Sequence, residues 1–264
     1  MRRTAVAVAA LALALPVLAG CGSSSTPAAT VGAGGSGAPA LSGTITVLAA
    51  SSLKEAFTTI GQQFEAAHPG VKVIFSFAAS SDLATQITSG SPADVFASAS
   101  AKNMSQVTDA GAASAPTTFA KNVMEIALPP ANPGNIAALA DLAKAGVKLA
   151  LCQDQVPCGS TAAKVFANAK LTVTPVTLEP DVKSVLAKVE LGEVDAGMVY
   201  VTDVRAAGDK VKGVEIPADV NASTSYPIAA LTKAANAALA KAFVDYVLSA
   251  DGASVLAADG FAKP

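Results

Sequence analysis

Two segments near the start of the sequence decide the fold: TITVLAASSLKEAF at residues 44–57 and VKVIFSFAASSDLATQI at residues 71–87. Each begins with a β-branched, apolar run typical of a buried parallel strand, and then passes through two serines into a helical pattern. A third apolar run, DVFA at residues 94–97, follows the second helix. The order β-α-β-α-β predicts an α/β fold in which helices cover both faces of a parallel sheet.

The same kind of pattern restarts near residue 122. Further strands are predicted at residues 123–128, 147–152, 196–201 and 224–231, and further helices at 161–169 and 182–191, the first of these after a loop at 157–160. We interpret this as a second α/β unit inserted into the first. Lobe one is predicted to comprise residues 43–120 and 227–264, lobe two residues 121–226, each a mostly parallel sheet flanked by helices.

The start of the chain predicts export. Arg2 and Arg3 precede an apolar run from Thr4 to Gly20, so residues 1–20 are interpreted as a signal peptide. The run ends in Leu-Ala-Gly-Cys, which resembles the lipobox of bacterial lipoproteins and implies lipid on Cys21. The alternative is an ordinary signal peptide with a chance cysteine. Residues 21–42 are rich in Gly, Ser and Ala and read as a lipidated, disordered tether. An extracytoplasmic protein anchored to the cell membrane is expected.

The composition of the sequence limits the kinds of partner and metal site that can be expected. The formal net charge is -2, only 14% of residues are charged, and the sequence has no basic patch, so nucleic acid is an unexpected partner. Apart from Cys21 the cysteines are Cys152 and Cys158. Outside the membrane such a pair can oxidise, which favours a local disulfide over two free thiols. Two cysteines and a single histidine are a poor set for zinc.

The paired serines are the sharpest chemical feature. A helix N terminus exposes unpaired N–H groups and the positive end of the helix dipole, and serine hydroxyls there add further donors. Because ligands of open parallel sheets bind beyond the carboxyl ends of the strands, two such termini predict an anion site. The alternative for each serine pair is an ordinary helix cap. The single histidine and the lack of a Gly-x-Ser-x-Gly motif argue against a serine hydrolase.

Four segments resemble the periplasmic molybdate-binding proteins of bacterial ABC importers. They are VLAASSLKEAF, FSFAASSDLATQITSGSPADVFASAS, DVKSVLAKVELGEVDAGMVY and SYPIAAL. The resemblance implies a two-lobed, type II periplasmic-binding-protein fold that closes over one oxyanion held by neutral donors. It further implies molybdate as ligand with tungstate bound similarly, an importer permease as partner, a monomer, and no enzymatic activity or cofactor. The metal would be bound only as the oxyanion.

Carried over by position, the resemblance implies five ligand contacts. The hydroxyls of Ser52, Ser80 and Tyr200 and the backbone N–H groups of Cys158 and Val182 would donate to the anion. Cys158 departs from the family pattern, in which alanine is commoner.

Several of these assignments have alternatives. A slip of one residue would put Ser51 or Ser81 in place of its neighbour, and Tyr200 has an alternative role as a core residue. Tyr226 is interpreted as structural. Asp82 and Asp181 are expected to cap helices. The alternative functions are a binding protein for sulfate or another tetrahedral oxyanion, a secreted serine hydrolase, and a surface interaction protein without a small ligand.

Overall fold

The computed structural model describes residues 41–264, so the predicted signal peptide, the lipidation at Cys21 and the tether up to residue 40 lie outside the described part. Residues 41–264 belong to one compact unit. Its strands are β1 Gly43–Ala50, β2 Val71–Ala78, β3 Val95–Ala97, β4 Thr117–Leu128, β5 Leu149–Cys152, β6 Thr177–Glu179, β7 Ala196–Tyr200, β8 Lys212–Glu215 and β9 Ser223–Ala230. Its α-helices are α1 Lys54–Ala67, α2 Ser80–Thr88, α3 Ala101–Asp109, α4 Pro157–Asn168, α5 Val182–Glu190, α6 Val201–Ala207, α7 Ala237–Val247 and α8 Ala250–Ala258.

The predicted opening β-α-β-α-β is confirmed. Strand β1 pairs in parallel with β2 on one side and with β3 on the other. Helix α1 forms because Phe57, Ile60 and Phe64 recur at helical spacing, and all three are fully buried. The helix ends at His68, after which Gly70, in the left-handed region at φ 96°, turns the chain into β2.

Two long antiparallel strands connect the halves of the molecule. The first part of β4 pairs with β9, and its second part lies between β7 and β8. Beyond them, β5 pairs in parallel with β6 and β7. Each half is therefore parallel at its centre and antiparallel only where β4, β8 and β9 join it, which agrees with the predicted α/β class.

The apolar residues form separate cores in the two halves, which we call lobe one and lobe two. Lobe one packs β1–β3 against α1, α2, α3, α7 and α8, and lobe two packs β5 and β7 against α4 and α5. The C-terminal helices return to lobe one, since Phe243 and Leu256 belong to its core. The exact boundaries of the lobes, at residues 121 and 226, stay a prediction. None of the helices within residues 41–264 is long and apolar enough to cross a membrane.

One local expectation was wrong. Residues 157–160 were expected to form a loop, but they are the first turn of α4, which begins at Pro157. Proline is favourable at this position because its fixed φ suits the helix and its missing N–H would have no acceptor within the helix anyway.

Candidate functional site

Strands β1 and β2 end side by side, and this brings the two serine pairs together. Ala50, the last residue of β1, is in register with Ala78, the last residue of β2. Two residues further along each chain come Ser52 and Ser80. Ser52 lies in a short 3-10 turn that leads into α1, and Ser80 is the first residue of α2. Both serines are buried.

Lobe two contributes two more helix N termini, those of α4 and α5. They follow β5 and β6, which run in parallel and so end at the same edge of the sheet. Cys158 lies in the first turn of α4 and Val182 is the first residue of α5. Tyr200, at the end of β7, directly precedes α6.

All five predicted ligand residues meet at one cavity between the lobes. The cavity has a volume of only about 10 Å³, far below the roughly 300–1,000 Å³ of sites for drug-sized ligands. Any ligand bound there must therefore be small. The lining residues are Ala50, Ser51, Ser52, Ala78, Ala79, Ser80, Ala99, Pro157, Cys158, Asp181, Val182 and Tyr200. Ser51 lines the cavity beside Ser52, whereas Ser81 does not. The ligand-binding role of the five residues stays a prediction.

In lobe two, the residues at the helix N termini determine which backbone N–H groups are left without an acceptor. The Asp181 carboxylate accepts the N–H groups of Lys183 (2.8 Å) and Ser184 (3.1 Å) and so leaves that of Val182 uncapped. In α4, Pro157 has no N–H, so the first donor of that helix is Cys158. Because N–H groups of the first turn lack acceptors within the helix, both groups can donate to an anion.

The predicted capping role of Asp181 is thus confirmed, and that of Asp82 is wrong. Asp82 lies inside the first turn of α2, where its carboxylate accepts from the Ser81 hydroxyl at 3.3 Å. The cap position of that helix is occupied by Ala79, which has no side-chain acceptor.

The Ser52 hydroxyl has a partner that the sequence did not indicate. It lies 2.9 Å from the hydroxyl of Tyr226, which is itself fully buried on β9. The Asn122 amide donates to Thr202 at 2.8 Å and makes a long contact of 3.5 Å to Tyr226. If Asn122 donates to Tyr226 and Tyr226 donates to Ser52, the Ser52 proton is free to point into the cavity.

The Ser80 hydroxyl is held by the backbone instead. It accepts the N–H of Ala99 at 2.9 Å, in a fully buried contact. Since that bond uses a lone pair of the hydroxyl, the proton of Ser80 remains available as a donor.

Tyr200 carries a buried hydroxyl that makes no hydrogen bond with good geometry in the described residues. The hydroxyl of Thr161 is close enough to act on it, yet it donates to the Pro157 carbonyl at 2.8 Å. Burial, reinforced by Tyr226, raises the pKa of Tyr200 well above its ordinary value. Tyr200 therefore stays protonated, as a donor must. A buried hydroxyl without a good partner is costly, so this one is a candidate for contact with a ligand.

Neutral groups dominate the electrostatics of the cavity. Asp181 is the one charged residue of the lining, and its two oxygens are engaged by Lys183 N–H, Ser184 N–H and the Ser184 hydroxyl. Positive potential comes from the helix ends. Within residues 41–264, no cluster of three or more His, Cys, Asp or Glu side chains could hold a metal ion.

A disulfide joins Cys152, the last residue of β5, to Cys158 in the first turn of α4, with their Cα atoms 5.8 Å apart. This confirms the predicted bridge. The next residue is Gly159, where an added Cβ would collide with the carbonyl oxygen of Gln153. The bridge and this close approach fix the turn that presents the Cys158 N–H.

Sequence comparisons identify related proteins. A family model described as bacterial extracellular solute-binding protein matches residues 45–262. Molybdate-binding protein ModA of Mycobacterium tuberculosis (strain H37Rv) is 45% identical over 222 residues, which are 84% of this chain and 85% of that protein.

Structure comparisons find the same fold in proteins of lower identity. The periplasmic molybdate-binding protein of Azotobacter vinelandii has a TM-score of 0.74 at 20% identity and covers 83% of this chain and 99% of that one. The sulfate-binding protein SubI of Mycobacterium tuberculosis H37Rv has a TM-score of 0.70 at 18% identity, covering 83% and 86%. At these identities the likeness shows the fold alone, and that fold serves proteins named for different anions.

Proposed function

Because the chain belongs to the bacterial extracellular solute-binding proteins, we propose that it captures molybdate between its lobes and delivers it to an ABC importer. The observation that carries this proposal is the convergence of four helical N termini and three hydroxyls on one small cavity without Lys or Arg. Helix termini stabilise anions, and low surrounding polarity strengthens each hydrogen bond.

The proposed contacts divide between the lobes. The hydroxyls of Ser52 and Ser80 would hold the anion from lobe one, and the N–H groups of Cys158 and Val182 with the hydroxyl of Tyr200 would hold it from lobe two. Because each lobe supplies part of the coordination, a bound dianion would favour the closed arrangement. We propose that closure bends the chain near Lys121 and Tyr226, where β4 and β9 pass between the lobes. Small-angle scattering should then show a smaller radius of gyration when ligand is added.

The acceptor content of the cavity argues against hydrogen phosphate. A protonated anion needs an acceptor as well as donors, and the only carboxylate of the lining already accepts several protein donors. Molybdate, tungstate and sulfate are fully deprotonated at neutral pH and need donors alone. Molybdate is preferred because the 45% identical relative is named for it. Sulfate is the second candidate, since the fold is shared with a sulfate-binding protein.

The remaining parts of the proposal concern location and partners. We propose that the protein is a binding protein rather than an enzyme, extracytoplasmic, monomeric, and held at the cell membrane by lipid on Cys21. The permease of an importer would be its protein partner. Mass spectrometry of the mature protein from membranes should find a chain that begins at Cys21 and carries acyl groups.

Calorimetry tests the ligand. Titration of the purified protein should show one molybdate per chain, comparable binding of tungstate, and weaker binding of sulfate. Preference for sulfate would replace the ligand and keep the function class. Absence of heat with all of these anions would contradict oxyanion binding altogether.

A further inference from the structure

One lysine connects the two lobes beside the cavity. The Nζ of Lys183 lies 2.8 Å from a carboxylate oxygen of Glu55 and 3.0 Å from one of Asp203. Glu55 is on α1, whose apolar face belongs to lobe one, while Lys183 is on α5 of lobe two. Every other ion pair among residues 41–264 lies within a single lobe.

Each of the three charges is close in sequence to a proposed ligand contact. Glu55 comes one helical turn after Ser52, and Lys183 directly follows Val182. Asp203 accepts the backbone N–H of Tyr200 at 3.0 Å. A movement that separates the lobes would therefore separate Lys183 from Glu55, while its pair with Asp203, inside lobe two, would remain.

The two ion pairs of Lys183 differ in how deeply the carboxylate partner is buried. The side chain of Asp203 is completely buried, that of Lys183 is 20% exposed, and that of Glu55 is 43% exposed. Burial disfavours the charged lysine, but Asp203 and Glu55 outweigh it and raise the pKa of Lys183. Burial also raises the pKa of Asp203, although Lys183 lowers it, so the two charges inside lobe two depend on each other, whereas half-exposed Glu55 can pair with Lys183 or be solvated.

We propose that Lys183 is a positioning residue whose ion pair with Glu55 acts as a latch on the closed lobes, retaining the bound oxyanion without touching it. The inference rests on the proposed function. The latch adds stability only to the arrangement in which Ser52 and Val182 face the same ligand. Its main effect is expected on ligand release, because the lobes must separate and the Lys183–Glu55 pair must break before the anion can leave.

The clean test is Glu55→Gln. Replacing Lys183 would leave the buried Asp203 carboxylate unpaired and could unfold lobe two. Glu55 is half exposed, so its replacement leaves no buried charge. The matched control is Glu193→Gln, which breaks the exposed pair of Glu193 with Lys188 inside lobe two and has a similar side-chain exposure of 47%.

The contribution of the latch is measured by the rate at which radiolabelled molybdate is released into excess unlabelled molybdate. Glu55→Gln should release it about three- to fivefold faster than the unchanged protein, the upper range for a partly exposed pair. Glu193→Gln should release it at the unchanged rate. High salt should accelerate release from the unchanged protein and from Glu193→Gln, but much less from Glu55→Gln.

Other outcomes overturn the inference. If Glu55 acted only as a negative charge near an anion, its removal would slow release and tighten binding. If it were merely structural, Glu55→Gln would lower the melting temperature of the ligand-free protein, with no salt-sensitive change in release. Unchanged release would also remove the latch. If the unchanged protein bound no molybdate, the proposed function itself would fail, and the latch with it.

Discussion

The two serine pairs are almost identical in sequence and differ in structure. In the sequence, Ala50-Ser51-Ser52 matches Ala79-Ser80-Ser81, yet in the structure Ser52 and Ser80 are equivalent, since each lies two residues beyond the paired Ala50 and Ala78. The reason is that β1 leads into a 3-10 turn, whereas a single residue, Ala79, separates β2 from α2. Equivalent serines also have different supports, a tyrosine hydroxyl for Ser52 and a backbone N–H for Ser80. A short motif therefore supplies the hydroxyl groups, while the surrounding strands determine which serines line the cavity.

The largest effect is expected for Ser80→Ala. Loss of a hydrogen bond to a charged ligand should weaken molybdate binding by about 1.5–3 kcal/mol. Because the Ala99 N–H would also lose its acceptor, the free energy of unfolding should fall by about 1–3 kcal/mol. Calorimetry measures the affinity for molybdate, and urea denaturation measures the free energy of unfolding. Ser81→Ala, outside the cavity, is the control and should leave affinity unchanged. A loss of affinity in Ser81→Ala together with an unchanged affinity in Ser80→Ala would move the contact to Ser81.

Ser52→Ala should weaken molybdate binding by a similar amount, about 1.5–3 kcal/mol, with a smaller loss of stability of about 0.5–1.5 kcal/mol. The difference is expected because the Tyr226 hydroxyl still accepts from the Asn122 amide when Ser52 is truncated, whereas the Ala99 N–H loses its acceptor and cannot rotate. The same titrations and denaturation curves apply. An unchanged affinity here, together with a loss in Ser51→Ala, would shift the contact to Ser51.

Tyr226→Phe sharpens the comparison because the Tyr226 hydroxyl contacts Ser52 and not Ser80. Affinity for molybdate should fall by about 0.5–1.5 kcal/mol, the worth of an ordinary hydrogen bond. In double mutants the change should be additive with Ser80→Ala to within about 0.5 kcal/mol and strongly non-additive with Ser52→Ala. Tyr246→Phe, whose hydroxyl contacts Gln63 at 3.2 Å in lobe one, is the control. Additivity with both serine variants would show that Tyr226 does not act through Ser52.

An effect no larger than that of Tyr226→Phe is expected at the disulfide, which supports the proposed backbone donor Cys158. Reduction of Cys152–Cys158 should weaken molybdate binding by about 0.5–1.5 kcal/mol, because the Cys158 turn must then be ordered on binding. The closed loop is short, so the melting temperature of the ligand-free protein should change little. Titrations with and without reductant measure the change in affinity, and thermal melts with and without reductant measure the change in melting temperature. A large drop in melting temperature with unchanged affinity would make the bridge purely structural.

Local sequence pattern is sufficient to predict much of the fold. The apolar runs of β1, β2 and β3 and the helical spacing of α1 are visible in the sequence because each element is long or strongly buried. Strand β8 carries mostly exposed residues, and β6 has one exposed residue between two partly exposed ones, so neither has a strand pattern of its own. They are strands only because β4 and β5 present edges to them. Helix α3 was likewise not foreseen, although Met104 and Val107 bury one side of it.

For the candidate site, the serine pairs could be foreseen from sequence, but their supports could not. Ser52 and Tyr226 are 174 residues apart, and Glu55 and Lys183 are 128 apart by their numbers. Such contacts depend on the antiparallel joining of β4 and β9 and on the approach of the lobes, for which no local pattern exists. The proline of Tyr226-Pro227 only hinted at a structural role.

The aromatic residues near the cavity have a spectroscopic consequence. The sequence contains no tryptophan and three tyrosines. Two of these, Tyr200 in the cavity lining and Tyr226 beside Ser52, meet edge to face with ring centroids 6.4 Å apart, and the third, Tyr246, packs against Phe64 in lobe one. Ultraviolet emission of the unlabelled protein is therefore dominated by tyrosine. If the anion binds as proposed, the emission of Tyr200 and Tyr226 should report its binding, with Tyr246 as an internal reference.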